Sequence, residues 1–312
     1  MTPLKARKKI LLLKIEATYG VDPTPTGAAN AILVSNLEIM PFDGETIDRD
    51  TYQPYLGSRQ QIHVGTHVKI GFEVEIAGSG AAGTAPAYGP VLRAAAHAQT
   101  INAGVSVVYD PVSSGEESAT MYFHHDGHKH AIVGARGALT RLGLTVKQIP
   151  KFRFDFMGLY VGPVAAADPT PTLSAFVKPL SVSNDNTPTF SVHSFAAKMA
   201  SFELNAGSTV IHRELVGEES IQVSDRNSKG SMVIEHPALG TKDFYAIAAA
   251  ETLAALQIVH GVTAGNIVQL DAPGVQILQP RMSDQDAITM LSAGLNFVPS
   301  AAGDDEYSIT VK

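Results

Sequence analysis

The sequence predicts a mainly β protein of two tandem β-sandwich or open-barrel domains, each with a flanking α-helix. Three observations lead there. Alternating apolar and polar runs bounded by turn residues recur along the chain, a proline-rich passage divides it, and landmarks before that passage return in the same order after it. The expected plan is an N-terminal arm over residues 1–30, a first β domain over 31–162, a linker over 163–188 and a second β domain over 189–312.

Residues 1–30 open with a basic cluster, Lys5, Arg7, Lys8 and Lys9. LLLKIEA follows, which fits a short strand or a short helix, and then a loop with Pro23 and Pro25. Such a segment reads as a solvated arm or as an arm that docks on another subunit. The first domain begins with the strand AILVSNLEIMPF, closed by Asp43-Gly44. ETIDRDTYQPYL is polar and interrupted by Pro54, so it is an exposed strand or a long loop. In HVKIGFEVEIA, Val68, Ile70, Phe72, Val74 and Ile76 alternate with Lys69, Glu73 and Glu75, the period-two pattern of a half-buried strand. GSGAAGTAPAYG is a glycine-rich loop without the Lys-Ser/Thr of a phosphate loop. Thr84 is placed to cap a helix reaching about His97, with Pro90 delaying its first turn.

Strands are expected at 105–110 and 119–125, and Asp126-Gly127 turns the chain back through 128–133. Residues 137–146 and 151–161 form a last hairpin, in which Phe152, Phe154 and Phe156 share a face. The linker then carries Pro163, Pro169, Pro171, Pro179 and Pro188, each fixing φ and removing a backbone donor.

After the linker, Gly207 answers Gly44, and Val216-Gly217 with Ile221-x-Val223 answers Leu56-Gly57 with Ile62-x-Val64. Thr241-x-x-x-Tyr245 answers Thr84-x-x-x-Tyr88, each opening an alanine-rich helix. Ala272-x-Gly274 answers Ala135-x-Gly137, and Gly294-Leu295 answers Gly158-Leu159. The order of five matches supports duplication. The second copy is shorter and lacks a counterpart of the histidine-rich hairpin, on this reading.

Composition narrows the function. With no cysteine among 312 residues there is no disulfide framework and no thiolate chemistry. No apolar run is long enough to span a bilayer or to form a signal-peptide core, so no membrane anchoring is expected and folding is expected in the cytoplasm. The net charge is −7, and the acidic excess lies after Ala165, which argues against a DNA-gripping surface there. No tryptophan is present to build a stacking platform, and neither G-x-S-x-G nor H-E-x-x-H occurs. Glu116-Glu117, Glu218-Glu219 and Asp304-Asp305 sit beside glycines in loops and read as solvated charge. The one constellation with ligating chemistry is HHDGHKH. A two-residue turn at Asp126-Gly127 puts His125 opposite His128 and Phe123 opposite His130, so His125, His128 and His130 share a face and form a candidate metal site. A polar hairpin tip is the simpler reading. No catalytic residue and no cofactor is expected.

Four stretches carry a family resemblance: IEATYGVDPTPTGAANAILVSNLEI, AGSGAAGTAPAYGPVLRAAA, FRFDFMGLYV and HGVTAGNIVQLDAP. The chain resembles the tail tube (major tail) proteins of long flexible-tailed bacteriophages, and among them those of Mu-like transposable phages of Pseudomonas-type hosts. The resemblance implies a virion protein, a non-enzymatic β-sandwich with a flanking helix, whose copies close into rings around a lumen. Duplication implies three chains per ring in a pseudo-sixfold arrangement. Implied partners are further copies of itself, the tape measure protein, the tail terminator, distal tail or baseplate proteins, and double-stranded DNA in transit. Residues 45–61 and 209–221 match the loop that reaches the neighbouring ring. An acidic lumen would let DNA slide, which the net charge permits. The alternatives are the inner tube of a contractile tail or injection system and, in a different class, a metal-binding module using the histidine hairpin.

Overall fold

The computed structural model describes residues 3–312. The chain is 52% strand and 5% helix, so its class is mainly β. Its first half runs β1 (Lys9–Ile15), α1 (Gly27–Asn30), β2 (Ala31–Ile32), β3 (Ser35–Ile47), β4 (Ile62–Glu75), α2 (Gly89–Ala94), β5 (His97–Asn102), β6 (Ser106–Pro111), β7 (Ala119–His125), β8 (His128–Thr145), β9 (Lys151–Tyr160) and β10 (Val164–Ala165). Its second half runs β11 (Thr189–Val192), β12 (Phe195–Ala196), β13 (Met199–Asn205), β14 (Ser208–Leu215), β15 (Glu218–Arg226), β16 (Lys229–Glu235), α3 (Phe244–Ala249), β17 (Leu253–His260), β18 (Val268–Gln285), β19 (Ile288–Phe297) and β20 (Ser308–Val311).

Strand pairing in the first half follows the order β1-β7-β8-β9-β4-β3. The second half repeats it as β11-β17-β18-β19-β16-β13. The short strands recur as well: β2 lies on β1 and β12 on β11, while β10 lies on the start of β8 and β20 on the start of β18. Even the bulges coincide. One falls between Ala119 and Met121 opposite β8, and its counterpart falls between Ala254 and Leu256 opposite β18. A second falls between Leu139 and Arg141 on β8, and again between Leu278 and Arg281 on β18.

These bulges fix the correspondence between halves: Ile132 with Ala272, Arg141 with Arg281, Phe156 with Leu295, Phe72 with Met232, and Glu38 with Glu203. The sequence matches on Ala135/Ala272 and Gly158/Gly294 are therefore out of step by three residues. An odd slip exchanges the two faces of a strand, and burial separates the alternatives where glycine spacing does not. Phe152, Phe154 and Phe156 are buried, as are Leu291, Ala293 and Leu295.

Residues 142–145 of β8 pair with residues 201–204 of β13. This joins the halves into one run of eight strands, β3-β4-β9-β8-β13-β16-β19-β18. β8 pairs with β7 over its first part and with β13 over its last, so it passes from one layer to the other, bending at its bulges. A second junction is β6 against β20. Between the layers lies one core, with Phe72 stacked on Phe156 at 5.7 Å and α2 contributing Val91 and Leu92.

Several expectations change. The segment expected to be a free arm contains β1, whose Leu11, Leu12 and Leu13 are fully buried against β7 and its surroundings. The four-residue apolar run Ile10–Leu13, between Lys9 and Lys14, has nowhere else to go. The proline-rich linker is a packed strap: Val182 is buried, and its backbone exchanges hydrogen bonds with Lys147 and Gln148. The expected break between 133 and 137 is absent, because β8 is continuous through Gly134, which takes φ +59 against the ring of Tyr19. Both flanking helices, α2 and α3, are short six-residue segments. The alanine-rich stretch after α3 becomes β17, since pairing with β18 and β11 outweighs helix propensity. The glycine-rich loop near Gly78 packs on the β17–β18 loop, where a Cβ on Gly78 would lie 2.1 Å from the Gly265 carbonyl oxygen.

Candidate functional site

The histidine hairpin has the expected register: His125 pairs with His128, and Phe123 with His130. Phe123 is buried, and its ring lies 6.0 Å from that of His125 and 5.9 Å from that of His130. Burial, then the nearby charges of His128 and His125, pushes the His130 imidazole below its ordinary pKa. Asp126 is engaged elsewhere. Its carboxylate accepts from the Lys8 ammonium and the Lys5 backbone N–H, both at 2.8 Å, and the Lys8 bond holds it below the usual carboxylate range. The Gly127 N–H donates to Asp168 at 3.1 Å. The hairpin tip is thus clasped by both flanking segments. Among the described residues, no group of three or more His, Asp or Glu side chains is placed to hold a metal ion.

The hairpin is also not unique to the first half. Its counterpart is β17–β18, where His260 stands at the position of His125 and a longer 261–267 loop replaces the two-residue turn. His260 bonds to Thr187 at 2.9 Å and is shifted down by burial. The different loop lengths hid this equivalence from sequence comparison.

The long loops reach outward in both halves. In the first, β3 and β4 pair as far as Ile47 and Ile62, and residues 48–61 carry exposed Tyr52, Tyr55 and Leu56. In the second, β14 and β15 form a separate hairpin with exposed Leu215 and Val216 at its tip. The middle of this second hairpin is tied to the first half. Arg136 donates to the Ile221 carbonyl at 3.0 Å, the Ile221 N–H donates to the Tyr19 hydroxyl at 2.6 Å, and His212 stacks on His67 at 5.0 Å. Arg226 on β15 binds Asp304 at 2.6 Å, the buried Glu306 and the Val112 carbonyl at 2.7 Å, which pins the C-terminal segment against the first half.

Among the described residues, the eight-strand run is left open at its two ends. β3 is hydrogen-bonded on one side only, by β4, and exposes Met40 and Phe42. The last part of β18, beyond Leu278, pairs only with β19 and exposes Met282. Such edges, continuous with a sheet that already joins two like halves, present unpaired backbone groups on which a further strand can pair. The sequence model of the phage tail tube protein family matches residues 6–299, and the chain belongs to that family. It is a structural tail tube subunit and a virion component, one that assembles with copies of itself and with other tail proteins. No curated protein matches it. No helix among the described residues is long and apolar enough to cross a membrane.

Proposed function

We propose that three copies close into a pseudo-sixfold ring, and that stacked rings make the tube of a long, flexible, non-contractile tail resembling those of Mu-like transposable phages. The observation that carries this reading is the recurrence of one strand order in both halves, joined by β8 and β13 into eight continuous strands. Three copies of eight strands give 24 strands, a closed wall without edges. Each copy of the repeat then runs from its first to its last paired strand, 9–165 and 189–311, with the strap between them.

The solvent face of the eight-stranded sheet lines the lumen, houses the tape measure protein and later passes double-stranded DNA. Several of its charges are held in pairs: Lys151 with Glu73 at 2.9 Å, Arg141 with Glu203 at 2.5 Å, and Arg153 with Asp155 at 3.2 Å. A self-neutralised wall offers phosphates no continuous basic track, so the duplex slides without being gripped. The exposed tips at 48–61 and around Val216 reach the next ring. The terminator and the distal tail or baseplate proteins cap the two ends, assembly takes place in the host cytoplasm, and the protein carries out no catalysis. Cryo-electron microscopy of particles, with symmetry left free, tests the ring. Three chains per ring with both halves on the lumen is the expected result, and six chains per ring overturns the pseudo-sixfold arrangement.

A further inference from the structure

One contact inside the chain specifies a contact between chains. At the β8–β13 junction Leu142 lies opposite Leu204, Gly143 opposite Glu203 and Leu144 opposite Phe202. Arg141 closes the junction with a 2.5 Å ion pair to Glu203. The bulge correspondence places Arg281, Met282, Ser283 and Asp284 of β18 where Arg141, Leu142, Gly143 and Leu144 lie on β8. The β4 and β16 pairings likewise place Leu37, Glu38 and Ile39 of β3 where Phe202, Glu203 and Leu204 lie on β13. The arginine and the glutamate of the internal junction are therefore both present at the open edges. Leu142 and Leu144, paired with β13, are buried in the core, whereas Met282 and Asp284, at the same positions, are exposed. Glu38 is 78% exposed and has only a 3.6 Å approach from Arg153.

We propose that the end of β18 in one copy pairs antiparallel with β3 of the next copy in the register of the internal junction: Met282 opposite Ile39, Ser283 opposite Glu38 and Asp284 opposite Leu37, with Arg281 bound to Glu38. This rests on the ring reading and gives it an address. The contact is head-to-tail, since the two edges are different surfaces at opposite ends of the eight-strand run, and head-to-tail contacts are what close a ring. It supplies backbone partners to both ends of the eight-strand run and sets Met282 beside Ile39 on one face of the sheet.

The chain has no cysteine, so an introduced pair reports without background. A Glu38→Cys/Ser283→Cys double variant is assembled, mildly oxidised and run without reductant. Covalent dimers and trimers are expected from the double variant and none from either single one. A Gly143→Cys/Glu203→Cys variant serves as control, closing the same register inside one chain without raising its mass. Tubes that form normally while Glu38→Cys/Ser283→Cys stays monomeric and the control closes would overturn the register and leave the ring standing. Discrete particles with no tube, from the unaltered protein and in the virion alike, would remove the ring itself. Charge reversal gives an independent measurement. Glu38→Arg and Arg281→Glu should each raise the concentration needed for tubes about tenfold. The double reversal should restore it, and a double variant as impaired as the two single ones combined would overturn the pairing.

Discussion

The two halves share a strand order but differ in what covers the same strand. The last residues of β8 pair with β13 on one side, while the matching residues of β18 have no strand on that side. Leu142 is 2% exposed and its counterpart Met282 is 66% exposed. Within a repeat, a position buried in one copy and open in the other marks where the next unit belongs, because the chain itself supplies the covered example. The reverse contrast also occurs. The β5–β6 hairpin exists only in the first half, and there it receives β20 of the second. One junction is repeatable and can propagate, while the other is private to the chain and locks its halves together.

The strongest way to break this comparison is to truncate the matched pair. Leu142→Ala removes a core side chain on the strand paired with β13 and should destabilise the isolated subunit by about 2–5 kcal/mol. Met282→Ala should move the same denaturant midpoint by no more than about 0.5 kcal/mol, as expected of an exposed site, and yet reduce tube formation. Urea unfolding of the subunit, paired with sedimentation of tubes, separates the two effects. Equal losses of stability would mean that β18 is covered within its own chain.

The private junction has its own probe in pH. His97 is buried beside Tyr307, whose hydroxyl lies 2.9 Å from Nε2, while Nδ1 donates to the Ala95 carbonyl at 2.7 Å. Burial pushes its pKa down to about 4 from 6.5. Above 6.5 the imidazole is neutral in both folded and unfolded chains, and its contribution is complete. Between 6.5 and 4 the unfolded chain takes up a proton that the folded one refuses, so stability falls with falling pH, by about 3 kcal/mol at the lower limit. His193 and His260 are also shifted down by burial and add to the trend. The difference between the wild-type and His97→Gln stability profiles isolates His97, and parallel profiles from pH 7 to 4 would show that it is protonated without cost.

Much of this was legible in the sequence where a single strand carries its own signal. Phe152, Phe154 and Phe156, the alternation from Val68 to Val74, and the Asp126-Gly127 turn each fixed a local geometry that the fold keeps. Signals that depend on a distant partner were lost. Gly134 falls in an expected break between strands and is instead part of a bulge within β8, because the reason for glycine there is the Tyr19 ring, far away in sequence. Leu11–Leu13 reads as part of an arm because nothing local names β7 as its partner. The open edges are harder still. Met282 and Leu142 are both apolar residues in strands, and only pairing tells which one has a neighbour.

The smallest contrast concerns the two helices, which start for different reasons. Asp243 caps α3, its Oδ1 accepting from the Tyr245 and Ala246 N–H groups at 2.9 Å. Tyr88, at the matching end of α2, makes no side-chain cap. It is buried instead, with its hydroxyl donating to the Ala77 carbonyl at 2.8 Å, and Pro90 presets the first turn. Asp243→Ala should therefore cost about 1 kcal/mol, and Asp243→Asn much less, since asparagine offers the same acceptor. Chemical denaturation of the subunit resolves a change of that size. A cost near zero would put Phe244, buried beneath α3, in the role that Tyr88 has in α2, and packing would then hold both helices. A helix of six residues leaves little room for a third possibility, because it is too short to persist on its own hydrogen bonds.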